Sequence, residues 1–469
     1  MRTLSQLRRR DASPTLVLVL ACAAVVLASL DQFIVNVALP EMAGDLGGAG
    51  LSELSWVLNG YAIVFAALLV TFGRLADRYP REHGFLLGVL VFTVASAACG
   101  AASSVEVLVA FRVLQAAGAA LLMPTSLGLV LATAPLERRA GAVRAWTAVG
   151  GLGAALGPVA GGLLVAASWR WVFLVNVPIG LAALAVGWRR LPAVPGHAMP
   201  RPDALGTLLV TAGVGALALG LVEGGDWGWG SAATVGVLAA AGVALAAFAL
   251  HTARHRNPLV DPALFRSRGF SGAGAVALLF SIAFAAMLLS LVLWEQEVWG
   301  YSALQTGLAI APGPLMVPLF SFLVAGRAIA RFGAGVVIAA GSVTFAAGAG
   351  WWALAAGITP DYVGDMLGGM LLTGIGVGLT LPTLMASAAG ALAPQAFSAG
   401  SAVVTMLRQV GMAVGVAVLI AVLGSPLSLE AFQRGWIVTA AVALLAGAAG
   451  AVLLGARRGS PAPAPVPAT

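Results

Sequence analysis

The chain contains no lysine, and all 25 of its basic residues are arginine. Charged residues make up only 9% of its 469 positions, while 60% are hydrophobic. An ordinary soluble domain is roughly a quarter charged, and no soluble core absorbs this much apolar surface, so a soluble enzyme or binding module is excluded. The only two cysteines, Cys22 and Cys99, both lie inside apolar runs. They imply neither a disulfide framework nor a metal centre. The four histidines, His83, His197, His251 and His255, fall between apolar runs, which excludes a histidine relay inside a membrane. No glycine-rich phosphate cradle occurs, so ATP is not expected as an energy source, and no cofactor is implied.

What the chain has is apolar sequence in lengths that cross about 30 Å of hydrocarbon. Fourteen such segments recur, from residues 15–38 to residues 436–454. Lengths near 20 residues indicate α-helices, because a lipid-exposed backbone must satisfy its own hydrogen bonds. With the N-terminus placed in the cytoplasm, all but four of the 25 arginines fall inside, and most of the 18 acids fall outside, including Glu41, Asp45, Glu53, Glu295, Glu297, Asp361 and Asp365. This asymmetry predicts a multi-pass protein of the plasma or inner membrane with both termini cytoplasmic. The net charge of +7 then reflects topology and contact with anionic lipid, not nucleic-acid binding. The start is similar to a secretory signal, and Leu20-Ala21-Cys22 to a lipoprotein cleavage site, but the apolar run continues past Cys22 as a first span does. The Pro/Ala-rich tail, residues 457–469, predicts disorder.

The two halves share ordered similarities. Gly73-Arg74-x-x-x-Arg78-Tyr79 follows the second span, and Gly326-Arg327-x-x-x-Arg331-Phe332 follows the tenth, placed at residues 307–324. Leu122-Met123-Pro124-Thr125 matches Thr380-Leu381-Pro382-Thr383, and Gly153 and Gly157 match Gly411 and Gly415. Each match skips eight spans. The pattern predicts an all-α membrane protein of two parallel six-helix units, residues 1–192 and 265–456, separated by two inserted helices within residues 203–251.

Ionisable groups inside hydrocarbon are costly, so each is a functional candidate. Three lie in the spans: Asp31, Arg112 and Arg408. At 1.5 Å per residue, Asp31 lies about 24 Å from the cytoplasmic end of the first span and Arg112 about 8 Å below the outer end of the fourth. Both therefore occupy the outer half. Desolvation and a neighbouring guanidinium act in opposite directions on such a carboxylate, which is how a site is poised to load and release a proton. The alternative is a static ion pair or helix cap. Arg408 sits near the cytoplasmic end of the thirteenth span, with reach to the headgroups. Glu295 and Glu297 flank the outer end of the ninth span, as a solvated rim or as receivers of a cationic substrate.

Gly150, Gly153, Gly157, Pro158, Gly161 and Gly162 form a glycine face at helical spacing. Small residues every four positions let helices approach closely and slide, and Pro158 adds a bend. Together with this face, Leu30-Asp31-x-x-Ile34-Val35-Asn36-Val37-Ala38-Leu39-Pro40, Gly73-Arg74-Leu75-Ala76-Asp77-Arg78-Tyr79-Pro80-Arg81 and Arg112-Val113-Leu114-Gln115-Ala116-Ala117-Gly118 resemble motifs of the major facilitator superfamily. The match is to its fourteen-span drug:proton antiporters of the EmrB/QacA type. Trp169-Arg170-Trp171-x-Phe173-x-x-Asn176-x-Pro178-x-Gly180 is similar to the same group.

The resemblance covers nearly the whole chain. It implies a major-facilitator fold, proton coupling at Asp31 and Arg112, a cytoplasmic gate at Gly73, Asp77, Arg78 and Arg81, and an antiporter helix at Gly153, Gly157, Pro158, Gly161 and Gly162. Two departures stand out: Pro80 replaces the usual glycine of the gate motif, and Glu82-His83 replaces part of its basic run. Carboxylates found deeper in the C-terminal half of some relatives have no counterpart, which argues against divalent or strongly cationic drugs. Three readings compete: a proton-driven exporter of small amphipathic compounds, a symporter or facilitator importing a metabolite, and a non-transporting membrane enzyme or sensor. The glycine face favours the first. The expected partners are a small-molecule substrate, protons and membrane lipids, with the protein acting as a monomer.

Overall fold

A computed structural model describes residues 13–196, 202–392, 397–424 and 427–455, and these are helical throughout apart from short connections. The tail, residues 457–469, lies outside the described residues. The first half holds α1 (Pro14–Asp45), α2 (Leu51–Arg78), α3 (Arg81–Gly100), α4 (Val105–Thr133), α5 (Arg139–Val165) and α6 (Trp171–Arg190). Then come α7 (Ala204–Val222) and α8 (Ala232–Arg254). The second half holds α9 (Arg268–Val298), α10 (Ala303–Phe332), α11 (Ala334–Ala355), α12 (Tyr362–Gly390), α13 (Phe397–Leu423) and α14 (Leu429–Leu454). Among the described residues, thirteen helices are long and apolar enough to cross a membrane; α5 makes a fourteenth when its two segments, bent by 43°, count as one span.

The starts of these helices are encoded locally. The side chains of Ser13, Ser104, Ser231, Ser302, Ser428, Asp203 and Asp361 each accept a backbone N–H in the first turn of the helix that follows, satisfying donors that a helix end leaves unpaired. The bend in α5 falls between Gly153 and Leu156, one turn before Pro158. A proline ring clashes with the carbonyl four residues earlier, which is residue 154 here.

The packing repeats eight helices on. In the first half α1 lies on α4 and α5, α2 on α4, and α3 on α4 and α6. In the second, α9 lies on α12 and α13, α10 on α12, and α11 on α12 and α14. Among the described residues the broadest contacts between the halves are α5 with α10 and α2 with α13, with smaller ones from α1 to α9 and α10. The inserted α8 packs chiefly on α7, and α7 lies against both α2 and α13. The repeated arginine motif takes the same form twice: the Arg78 guanidinium lies 5.9 Å from the Tyr79 ring, and that of Arg331 lies 5.2 Å from the Phe332 ring.

Several boundaries differ from expectation. Arg327 and Arg331 belong to the last turns of α10, not to a loop, because this span runs as a broken helix from Ala303 to Phe332 with a π-turn at Ser321–Ala325. Likewise, Gly73, Asp77 and Arg78 complete α2. His251 lies in the last turn of α8. A π-turn at Trp294–Val298 carries α9 past Leu293, so Glu295 belongs to the helix. In each case polar residues ride on a helix whose apolar run has already ended, and hydropathy alone stops too early.

Candidate functional site

Asp31 lies on the inner face of α1, flanked by Ile34 and Val35 that are themselves fully buried, and is itself 0% exposed. Arg112 of α4 places Nη1 2.5 Å from Asp31 Oδ2. The second oxygen, Oδ1, accepts from Gln115 Nε2 at 2.8 Å and from Asn176 Nδ2 of α6 at 3.0 Å. Among the described residues three donors and no acceptor face this carboxylate, a set that fits its ionised form.

Arg112 is equally well held. Its Nε donates to the Val57 carbonyl of α2 at 3.1 Å, and Nη1 also reaches Gln115 Oε1 at 2.6 Å. The guanidinium stands 4.2 Å from the centre of the Tyr61 ring and 5.7 Å from that of Phe173, a cation–π arrangement. Gln115 Nε2 continues to Ser96 Oγ at 2.8 Å, and Ser96 donates to the Phe92 carbonyl at 2.7 Å. Five helices of the first half thus meet on one buried ion pair. An ion pair this deep is costly when one partner is removed, because the other is left as an unpaired charge.

Sequence reasoning singled out Asp31 and Arg112 and missed Gln115, Asn176 and Tyr61. Gln115 lies three residues after Arg112, on the same helix face, and that spacing was the available signal. Asn176 stood in the Trp169–Gly180 motif without an assigned role, and Tyr61 carries no local mark.

The residue after Asp31 reaches the other half. Gln32 Nε2 donates to Gln409 Oε1 of α13 at 2.7 Å, Gln409 Nε2 returns a bond of 3.3 Å, and Met412 Sδ lies 3.2 Å from Gln32 Nε2. Gln409 directly follows Arg408. The expected headgroup contact does not describe Arg408: it lies eleven residues, about 16 Å, into α13, is half-buried, and has a buried Nε without a partner among the described residues.

The two glutamates at the end of α9 differ in burial. Glu297 is exposed, whereas Glu295 is 0% exposed and neither of its carboxylate oxygens has a hydrogen-bond partner among the described residues. The helical turn that continues past Leu293 carries Glu295 inward. Its neighbour Gln296 crosses to the first half and donates to the Val37 carbonyl at 3.0 Å.

The glycine face of α5 serves two partners. A Cβ on Gly157 would stand 2.7 Å from Phe33 Cβ, and one on Gly161 2.9 Å from the Ile34 carbonyl, so this side lies against α1, with Gly153 beside Ser29. Gly162 faces α10, where a Cβ would stand 2.5 Å from the Ala303 carbonyl; on α10 a Cβ on Gly307 would stand 2.5 Å from the Pro158 carbonyl. Gly411 and Gly415 of α13 press on the Leu278 and Ile282 carbonyls of α9 in the same manner. The crossing of α5 and α10 is tight only near these glycines. None of residues 141–152 and 314–324, nearer the arginine-rich side, is buried.

On that side, a Cβ on Gly73 would stand 3.9 Å from Pro124 Cβ of α4. Arg81 Nη1 donates to the Gly128 carbonyl at 3.3 Å and its backbone N–H to the Val194 carbonyl at 3.0 Å. Glu82 returns the link by accepting the Val194 N–H at 2.9 Å. The chain after α6 is thereby strapped over the α2–α3 turn. The Asp77 side chain lies outside the described part.

Residues 21–415 match the family model described as Major Facilitator Superfamily. The chain belongs to this superfamily. It is 35% identical over 85% of its length to the "Tetracenomycin C resistance and export protein" of Streptomyces glaucescens, covering 76% of that protein. It is 38% identical to the "Cephamycin export protein CmcT" of Amycolatopsis lactamdurans over 86% of this chain and 84% of that one. "Multidrug resistance protein Stp" of Mycobacterium tuberculosis shares 36% identity over 81% of this chain and 71% of that protein. Among solved structures, the POT family transporter PepTSo superposes with a TM-score of 0.67 over 93% of this chain and 97% of that chain at 18% identity, which shows the fold alone. As a Major Facilitator Superfamily member the chain is a multi-pass membrane transporter and not an enzyme.

Proposed function

We propose that this protein is a proton-coupled exporter of small amphipathic compounds that works by alternating access, with Asp31 as the proton-carrying group and Arg112 as its counter-charge. The observation that carries the reading is the buried Asp31–Arg112 pair, closed by Gln115 and Asn176 and lying one residue from the Gln32–Gln409 bridge between the halves. Among the described residues every hydrogen-bonding contact to Asp31 is a donor, so a proton taken up there finds no acceptor until one donor leaves. A rearrangement within the first half that pulls α1 from α4 or α6, transmitted from the second half through the Gln32–Gln409 contact, does this. Protonation and rearrangement are thereby coupled through a single carboxylate.

The antibiotic export proteins among the relatives support export over import. In this reading the arginine-rich side is cytoplasmic, both termini included, in the cell membrane. The tight contacts at Gly162, Gly307 and Gln296 and the unburied halves of α5 and α10 then correspond to a conformation closed outside and open inside. Gly73, Asp77, Arg78 and Arg81 form the cytoplasmic gate that closes in the other conformation. Residues 1–192 and 265–456 act as the two moving units of a monomer, and residues 203–251 stay outside the substrate path. Efflux from sealed vesicles, with and without a protonophore, tests the reading: collapse of the proton gradient abolishes uphill export.

A further inference from the structure

Away from the ion pair, the arginine-rich side carries a second cluster. Asp203, the N-cap of α7, is buried; its Oδ1 accepts from the Gly206 N–H at 2.8 Å and its Oδ2 from the Leu259 N–H at 2.9 Å. His251, in the last turn of α8, holds Nε2 2.9 Å from Asp203 Oδ1. One turn on, His255 stacks beside it with ring centroids 4.7 Å apart. Ligating atoms of the three side chains all lie within 4.8 Å of one another.

We propose that Asp203, His251 and His255 form a binding site for a divalent transition-metal ion, Zn²⁺ or a similar borderline cation. Two ligand atoms each about 2.0–2.1 Å from one ion stand roughly 2.9–3.4 Å apart at octahedral to tetrahedral angles. The 2.9 Å separation of His251 Nε2 and Asp203 Oδ1 already meets that requirement. His255, the extended residue that caps α8, holds its ring beside that of His251, and a turn of its side chain closes the remaining separation, 4.8 Å at most. Two imidazoles and one carboxylate suit Zn²⁺ and Ni²⁺, and leave a coordination position for water.

Asp203 is already positioned, because the Gly206 and Leu259 N–H groups hold its two carboxylate oxygens. Loading replaces the His251–Asp203 hydrogen bond by metal bonds. His255 then turns from the Asn257 N–H, which its Nδ1 accepts at 3.2 Å. The ion would join the start of α7, the end of α8 and the connection from α8 to α9, residues 255–267. Arg74 of α2 already grips that connection through the Pro258 carbonyl at 2.6 Å. A bound ion therefore stiffens the junction between the inserted pair and the two halves.

The test is cobalt titration of the purified full chain carrying no polyhistidine tag, read by visible absorption and followed by Zn²⁺ competition. One saturable set of cobalt bands, displaced by Zn²⁺, is expected for the wild type. His251→Asn and His255→Ala should each weaken binding roughly tenfold or more, since even outer-shell changes cost 10–100-fold, while a His83→Ala/His197→Ala double variant retains it. His255→Cys, at an exposed position, should keep binding and add a thiolate charge-transfer band. Absence of cobalt bands in the wild type, bands undiminished in both single variants, or a His255→Cys spectrum without the thiolate band would overturn the proposal.

Discussion

Gln32 and Gln409 hold each other across the two halves, with bonds of 2.7 Å and 3.3 Å, and each is chain neighbour to a charged residue, Asp31 on one side and Arg408 on the other. A paired amide contact is strong enough to bias a two-state equilibrium yet weak enough to break at each turnover, since a neutral hydrogen bond contributes about 0.5–1.5 kcal/mol net. Gln32→Ala and Gln409→Ala should each favour separation of α1 from α13. The double variant should add little to either, and a double-mutant cycle on the conformational equilibrium, read by spin-label distances, should give a coupling of about 1 kcal/mol. Fully additive effects would show that the bridge does not bias the transition.

The α5–α10 crossing gives a steric prediction. Gly307→Ala puts a methyl 2.5 Å from the Pro158 carbonyl, a backbone atom that cannot swing aside, whereas Gly151 has nothing within 4 Å of its Cβ position. Gly307→Ala should hold the acidic ends of the halves apart and lower the melting temperature, and overpacking of this kind costs about 1–3 kcal/mol. Gly151→Ala should be silent. Cysteine cross-linking between α5 and α10 on the acidic side checks both, and an unchanged yield in Gly307→Ala would contradict the packing.

Asp31 and Arg112 were legible because ionisable groups are rare enough in hydrocarbon for two of them to stand out. Gln115, Asn176 and Tyr61 were not, since a neutral polar residue in a span costs little and signals little until its partner is known. Glu295 was misplaced for a different reason: hydropathy ends the span at the last apolar residue, while the backbone continues through a π-turn. Proline and glycine breaks likewise hid the full length of α10, yet the repeat stayed readable because its markers lie at helix ends and crossings, where substitutions meet backbone.

Glu295 and Asp31 should respond oppositely to removal of charge. Neither carboxylate oxygen of Glu295 has a partner among the described residues, so Glu295→Leu relieves a desolvated polar group and should raise the melting temperature. Asp31→Leu strands Arg112, and should lower it. Thermal unfolding in detergent decides; a lower melting temperature for Glu295→Leu would mean that the acid is held by a contact of its own.

The Asp203 clasp should be acid-sensitive. Its carboxyl is held below the usual range, against the push of burial, by the Gly206 N–H, His251 and the Leu259 N–H. A depressed carboxylate contributes stability that is present above its unfolded value, about 3.9, and is lost as pH falls through the folded value. The wild type should therefore outlast Asp203→Asn at neutral pH, with the two melting curves converging only below about pH 4. A difference that vanished already near pH 6 would place the stabilising charge on another group.

In the proposed mechanism Asp31 carries the proton that drives export. The most direct test is Asp31→Asn, expressed at wild-type level and reconstituted in sealed vesicles with an imposed pH gradient, with substrate movement followed against its concentration gradient. The amide keeps contacts to Arg112 through its oxygen but takes up no proton, so uphill transport should be lost, while Asp31→Glu retains part of it and downhill exchange persists in both. Uphill export by Asp31→Asn at the wild-type rate would contradict the account and move the coupling role to another acid.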